Sequence, residues 1–340
     1  MNPTLASTLR IMATIIATLL VGLPAIWGAF ALWYQAPGGQ AVKALTVVVW
    51  AAFSLTVVVC LWQVRVSVGL LLFALVFAGL LIWWTRLRPT NDHVWADDVA
   101  RITTGTVDHN RVTLHNVRNF VWRSTTDYTQ RWETRSYDLD RLRSVDMIMS
   151  YWDGPAIAHM LISFGFENGG YVVFSVEIRR QKTQEFSEIG GFFKEFELSI
   201  IAADERDVIR LRTNVRGEDD YLYQLRMPLS AMRSLFLGYV GEANRLVETP
   251  RFYNTITVNC TTLVYHMMKR IVGHLPLDYR LLLSGYLPEY VYSVRGLNQN
   301  YSLEELKARG RIIERAKQAD RSPNFSEAIR QGLLGVDLPP

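Results

Sequence analysis

Apolar positions fall along this chain in three rhythms, and the first is nearly continuous. Residues 11 to 34, 44 to 64 and 66 to 85 form three runs with few interruptions. Each holds about 20 residues, which as a helix rising about 1.5 Å per residue would cross about 30 Å of hydrocarbon. Three transmembrane helices are therefore predicted. Trp33, Tyr34, Trp83 and Trp84 stand at span ends, where amphipathic rings favour the headgroup region. Pro24 lies inside the first run, and a membrane bundle tolerates such a kink. That run is too long for a signal-peptide core, and two more follow it.

After Arg88-Pro89 the rhythm shortens to a period of two, the mark of strands. Segments 111–124, 157–166 and 171–180 are rich in β-branched and aromatic residues. The last two are joined by Glu167-Asn168-Gly169-Gly170, a hairpin signal. Segments 193–202 and 207–215 read as a further strand pair, turning at 204–206. Helical spacing returns at 228–248, with Met232, Leu235, Phe236 and Tyr239 on one face. A strand-like run, 253–258, then passes into a helix-like run, 261–271. Ser302 and Glu305 form a capping box for a helix to about Gln318, and a short helix is expected near Ser326 to Leu334. The predicted organisation is a membrane anchor (1–88), an α+β domain with an antiparallel sheet (89–285), and a helical tail (286–340).

Charge sharpens this division. Residues 1–85 contain no acidic side chain and only Arg10, Lys43 and Arg65 as cations, and the remainder carries 33 basic and 32 acidic residues. So even a balance argues against a nucleic-acid partner. Placing Arg10 and Arg65 on one side leaves Lys43, Arg86 and Arg88 on the other, too small a difference to orient the spans. Two cysteines, Cys60 and Cys260, make no disulfide framework. No Cys/His cluster has zinc spacing, so no metal site is expected.

Cys260 is the lone thiol of the polar region, at the strand-to-helix junction. A helix N-terminus favours a thiolate, and its N–H groups could hold an oxyanion. Asn259 and Thr261 flank the thiol as oxyanion or substrate contacts. A small buried hydrophobe is the plain alternative. Of six histidines, His266 points about 120° away on the same helix. His159 lies on the first strand of the 157–180 hairpin, and the turn would pair it with residue 177 or 178. Glu177 would then orient the imidazole as base. Arg179 could bind a substrate anion or pair with Glu177, the latter being the commoner fate. Tyr221, Tyr223, Glu195, Glu197 and Arg212 are further candidates for the cleft wall.

The segments "NVRNF" (116–120), "YDLD" (137–140), "AHMLISFGFENG" (158–169), "SVEIRR" (175–180) and "FYNTITVNCTT" (252–262) resemble the bacterial DUF4105 family. That family includes the N-terminal periplasmic domain of Lnb-type lipoprotein N-acyltransferases. The resemblance covers about residues 92–275. It implies a permuted papain-like or NlpC/P60-like thiol fold, with the histidine strand before the cysteine helix. By position Cys260 takes the nucleophile's place, His159 that of the Ala-His motif, and Glu177 and Arg179 those of the Ser-Val-Glu-x-Arg motif. The expectation is a thiol acyltransferase of the bacterial inner membrane, with a periplasmic domain, no cofactor, and lipid or lipoprotein substrates. A cysteine peptidase or amidase acting on cell-wall peptides would use the same residues, and a non-catalytic envelope module is the third possibility. Three spans before the matching region and about 65 residues after it depart from the family's pattern, which leaves the substrate open.

Overall fold

The computed structural model describes residues 3–63, 66–167 and 169–334. The chain separates into two compact units, one made of the N-terminal helices with Ser187–Glu195, the other of the remaining described residues from Thr90 onward.

The first unit contains α1 (Pro3–Gln35), α2 (Gln40–Gln63) and α3 (Val66–Arg86). Within them, Ser7–Gln35, Gln40–Gln63 and Val66–Arg86 are long and apolar enough to cross a membrane, with mean hydropathies of 2.2, 2.5 and 2.6. Val64 and Arg65, at the expected end of the second span, lie outside the described residues. Ala17, Val21, Trp50, Val57, Leu61 and Phe73 pack together between the helices, while Leu20, Leu23, Leu45 and Leu55 face outward, as spans in contact with lipid require. A Cβ at Gly28 would stand 2.7 Å from Trp50. Glycine there lets the indole approach the first helix and donate to the Ala25 carbonyl at 2.8 Å. Segment Ser187–Glu195 closes on the same bundle: the Phe193 ring stacks on Phe30 and Tyr34, and Lys194 donates to the Trp84 carbonyl at 2.8 Å.

The second unit is built on β1 (Thr104–Asp108), β2 (Arg111–Arg118), β3 (Val121–Trp122), β4 (Tyr128–Thr129), β5 (Trp132–Asp138), β6 (Leu142–Tyr151), β7 (His159–Phe166), β8 (Tyr171–Arg179), β9 (Glu197–Ala203) and β10 (Asp219–Gln224). One sheet runs β1-β2-β9-β8-β7-β6-β10, with β5 also on β2, while β3 and β4 form a separate pair. The helices are α4 (Glu205–Arg210), continued by a π-helical segment (Leu211–Arg216), α5 (Leu229–Glu248), α6 (Cys260–Val272), α7 (Leu287–Ser293), α8 (Leu303–Gly310), α9 (Ile313–Gln318) and α10 (Phe325–Ala328).

Strand alternation sends side chains to two cores. Met160, Ile162 and Phe164 of β7 join Phe174, Phe236, Tyr239 and Val264 on the side of α5 and α6. Leu161, Ile148 and Val173 join Val208, Ile209, Ile312 and Phe325 on the side of α4, α9 and α10. The sheet thus lies between two helical layers, a mixed α+β arrangement. Met232, Leu235, Phe236 and Tyr239 are all buried, as the helical spacing predicted.

Several expected elements take other forms. The predicted strand 207–215 is α4 and the π segment. Asp204 caps α4 by accepting from the Arg206 N–H, and Gly217, with φ of 72°, ends the π segment in the left-handed region. The strand-like run 253–258 is a tight loop. The Asn254 side chain accepts from the N–H groups of Ile256 and Thr257, and such local bonds displace a strand ladder. The helix expected from Ser302 to Gln318 does begin with the capping box, but breaks between α8 and α9. A Cβ at Gly310 would lie 2.8 Å from the Leu222 carbonyl, and Ile312 N–H donates to Asp220, so the chain grips the β10 edge instead of coiling on. The last helix is shorter than expected, ending at Ala328. Residues from 286 form no separate tail: Leu297 and Leu306 enter the first core, and Ile312, Ala316 and Phe325 the second. In the hairpin turn, Asn168 lies outside the described residues, and Gly169 has φ of 74°.

Candidate functional site

The β7–β8 ladder runs from Gly165↔Tyr171 to Leu161↔Ser175 and stops. Beyond it, β7 stays with β6 through Ser150↔His159, and β8 stays with β9 through Arg179↔Glu197. The two strands fork. The register expected from the turn is kept, since the same pairing carried onward reaches 159 and 177, but the side chains meet across an opening and not on a closed ladder.

The thiol enters this opening from α6. Cys260 is the first residue of a helix capped by Asn259, whose side-chain oxygen accepts from the N–H groups of Thr261 and Thr262 at 2.9 and 2.8 Å. Thr262 returns the bond to the Asn259 N–H, completing a capping box. Leu263, Val264 and Met267 bury the helix, and Gly273 follows its last residue with φ of 85°. The sulfur is buried, and its ionised form is favoured by His159 and by the Met160 N–H. The latter is a backbone donor on the strand that has separated from β8.

His159 Nε2 lies 2.7 Å from Ser175 Oγ and 3.2 Å from Glu177 Oε1. Ser175 in turn donates to Glu177 at 2.6 Å. A serine hydroxyl has one proton, so Ser175 accepts from Nε2–H while donating to the carboxylate. Nδ1 is the ring nitrogen left for the thiol. Burial works against the imidazolium, but the Glu177 charge and the bonds to Cys260 and Glu177 outweigh burial and Arg212, pushing His159 up to about 9. Burial alone would raise the Cys260 thiol, yet His159, the Met160 N–H and Thr261 bring it below its ordinary value. Burial would likewise raise Glu177, but His159, Arg212 and Ser175 hold it well below the usual carboxylate range. The arrangement favours a thiolate–imidazolium pair, the reactive form of such a thiol.

Glu177 is anchored from the second helical layer. Arg212, on the π segment, approaches it at 3.4 Å and reaches Glu218 at 2.9 Å. π segments recur at functional sites. Ser150 binds both Glu218 and Asp220. Burial pushes Asp220 up to about 8.

The structure brings Cys260, His159 and Glu177 together and leaves two other expected residues out. Arg179 does not pair with Glu177. Its guanidinium donates to Asn91 Oδ1 at 2.7 Å and to the carbonyls of Val99 and Ala100, and it stacks 4.3 Å over Trp95. It therefore fastens the segment entering the domain. Asn259 is committed to the helix start: its oxygen caps α6 and one of its two amide N–H groups donates to the Thr255 carbonyl. The N–H groups of Thr261 and Thr262 are taken by that cap, and Leu263 N–H donates to the Asn259 carbonyl. Among the described residues the Cys260 N–H is the first-turn donor left without a partner. Thr261 Oγ1 stands 3.9 Å from the sulfur. Of the other cleft candidates, Arg212 is in the site. Tyr223 is buried, Tyr221 donates to Asp219, Glu197 sits by Thr90 and His93, and Glu195 belongs to the first unit. Ser175 and Met160 are invisible to sequence reasoning: a serine within a strand and a backbone N–H carry no motif.

Residues 128–285 match the family model of the Lnb N-terminal periplasmic domain. The match contains Cys260, His159, Ser175, Glu177 and Arg212, and it supports an Lnb-like relation. Together with three helices long and apolar enough to cross a membrane, it fits a membrane-anchored envelope protein. No curated protein and no solved structure matches the chain.

Proposed function

We propose that this chain is a membrane-anchored thiol acyltransferase of the bacterial envelope, with the second unit in the periplasm, the spans in the inner membrane, and a permuted papain-like thiol fold. The observation that carries this reading is a buried imidazole fixed by Ser175 and Glu177 at the β7–β8 fork, acting on the Cys260 thiol to favour its ionised form. The family match to an Lnb periplasmic domain supports the envelope setting, and acyl chemistry is what the resemblance to Lnb-type acyltransferases implies. In this mechanism His159 Nδ1 holds the thiol proton, and the thiolate adds to an ester carbonyl of a lipid-linked substrate. The carbonyl oxygen becomes an oxyanion facing the Cys260 N–H. The ester C–O bond breaks, the leaving alkoxide takes the proton from His159, and a Cys260 thioester remains. An amine or water then attacks the thioester carbonyl, giving its proton to His159; the C–S bond breaks, the amide or acid leaves, and the sulfur takes that proton back.

Intact-protein mass spectrometry of the membrane-extracted full chain tests this beside Cys260→Ala and His159→Ala. An acyl adduct removed by hydroxylamine and missing from Cys260→Ala is expected. A rapidly alkylating Cys260 with no adduct under any condition would instead favour peptide-bond chemistry at the same thiol.

A further inference from the structure

Thr261, the residue after the thiol, lines an apolar cavity of about 330 Å³. Thr261, Val264, Tyr265 and Met268 of α6 line it, spaced i, i+3, i+4 and i+7 and so on one helical face. Met147 and Met160 close it from β6 and β7, and Tyr290 and Val291 from α7. Two of the lining residues neighbour the candidate nucleophile: the Met160 N–H acts on the thiol to lower its pKa, and Thr261 Oγ1 lies 3.9 Å from the sulfur. The volume is at the small end of ligand sites, about 300–1,000 Å³, which suits one chain and not a whole two-chain lipid. The walls are mostly Met, Leu, Val and Ile side chains. A bound peptide would bring buried N–H and C=O groups that such walls cannot satisfy, whereas a hydrocarbon needs no partners. The methionines add walls that adapt to a flexible occupant.

The rim has a different character. Arg226, Arg295 and His274 line the cavity and are exposed, with no side-chain partner among the described residues. Arg295 holds φ of 62°, a conformation that ordinarily favours glycine or asparagine. It is the left-handed step that ends α7, with the Gly296 N–H donating back to the Val291 carbonyl. Beside the rim, the connection between α6 and α7 exposes Leu277 and Tyr279 at 84 % and 65 %, with Leu282 and Leu283 nearby. Exposed apolar side chains of this density mark contact surfaces.

We infer that this cavity takes one fatty acyl chain of an anionic phospholipid, its phosphate meeting Arg226, Arg295 and His274 and its ester carbonyl at Cys260. The inference rests on the acyl-transfer reading and names its donor class. The two rim arginines decide for a phosphate-bearing lipid over a neutral one.

The test uses the full-length Cys260→Ala protein in phosphatidylcholine nanodiscs, which cannot form the thioester. The probe is palmitoyl lysophosphatidylglycerol with a diazirine at the chain end. Cross-links are expected in 261–272 and 287–296, competed at least ten-fold better by unlabelled lysophosphatidylglycerol than by monopalmitoylglycerol. Val264→Trp, which fills the cavity, should lower them at least ten-fold, and Arg226→Gln with Arg295→Gln should abolish the preference for the anion. Competition needs no mutation, so it decides even if Val264→Trp misfolds. Labels confined to α1–α3, equal competition by both lipids, or displacement by an apolar peptide would each overturn the inference. Because the probe reports on binding, cavity labelling without any thioester in the native protein sinks only the chemistry. A Cys260 thioester with no cavity labelling sinks only this site.

Discussion

Ser175 Oγ stands 2.7 Å from His159 Nε2 and passes its own proton toward Glu177. A hydroxyl between imidazole and carboxylate sets the tautomer as a direct carboxylate would, while Glu177 remains close enough at 3.2 Å to act alone. Ser175→Ala is therefore expected to slow alkylation of Cys260 by about three- to ten-fold, the cost of about one net hydrogen bond, without abolishing it. His159→Ala should slow it by about 100-fold, within the usual range for a positioned base. A Cys60→Ala background, followed with a small methanethiosulfonate reagent, isolates the buried thiol.

The pH dependence follows from the same charges. Cys260 lies below its ordinary value because of His159, and His159 is held up to about 9 against burial chiefly by Glu177. Alkylation should thus rise at a pH below that of a free thiol. Glu177→Gln removes the charge that opposes burial, so the His159 midpoint should fall and the alkylation limb should move upward. For stability, a histidine raised from 6.5 to about 9 contributes fully below about 6.5 and loses that contribution as pH rises through about 9. Depressed Glu177 acts in the opposite sense, its contribution present above about 4.5 and lost as pH falls through its folded value. An unchanged His159 titration in Glu177→Gln, followed by NMR, would contradict this assignment.

Arg212 links two buried carboxylates, Glu177 at 3.4 Å and Glu218 at 2.9 Å. Removing one partner from a buried ion pair costs about 3–5 kcal/mol. Arg212→Met should therefore lower Tm by about 10 °C in a domain of this size and slow alkylation as well. A double Arg212→Met, Glu218→Gln variant should recover some of the stability and little of the reactivity, measured by thermal unfolding beside labelling.

Arg179 and Asn259 should separate cleanly from the chemistry. Arg179→Met gives up the bonds to Asn91, Val99 and Ala100, so a Tm drop is expected with alkylation within about two-fold of the parent when both are fully folded. Asn259→Ala removes an N-cap worth about 1 kcal/mol, and Asn259→Asp, which can also cap, should restore Tm. A large rate loss in Asn259→Asp at full stability would show that the amide itself contacts substrate.

Much is legible from local pattern. The three spans need only apolar run length, because a bilayer sets a length and little else. The 157–180 hairpin needs only its turn, which fixes register in steps of two residues. That register brings His159 to Glu177, and the Asn-Cys-Thr step places Cys260 at a helix start. Segment 207–215 reads as a strand and folds as a helix because Val208, Ile209 and Leu211 suit either, and the cap at Asp204 with the stop at Gly217 decides between them.

What the chain determined by itself is therefore what neighbours along it decide: spans, hairpin register, and a capped helix with a thiol at its head. Tertiary structure alone decided that β7 and β8 diverge just short of His159 and Glu177, beyond the Leu161↔Ser175 pair. It also decided that the sulfur fills the opening, and that Arg212 arrives from the opposite layer while Arg179 turns away. Those outcomes depend on which partner each strand keeps and on charges brought together across 35 residues or more of chain. No local periodicity encodes contacts of that kind, because their free energy arises only once both helical layers have closed on the sheet.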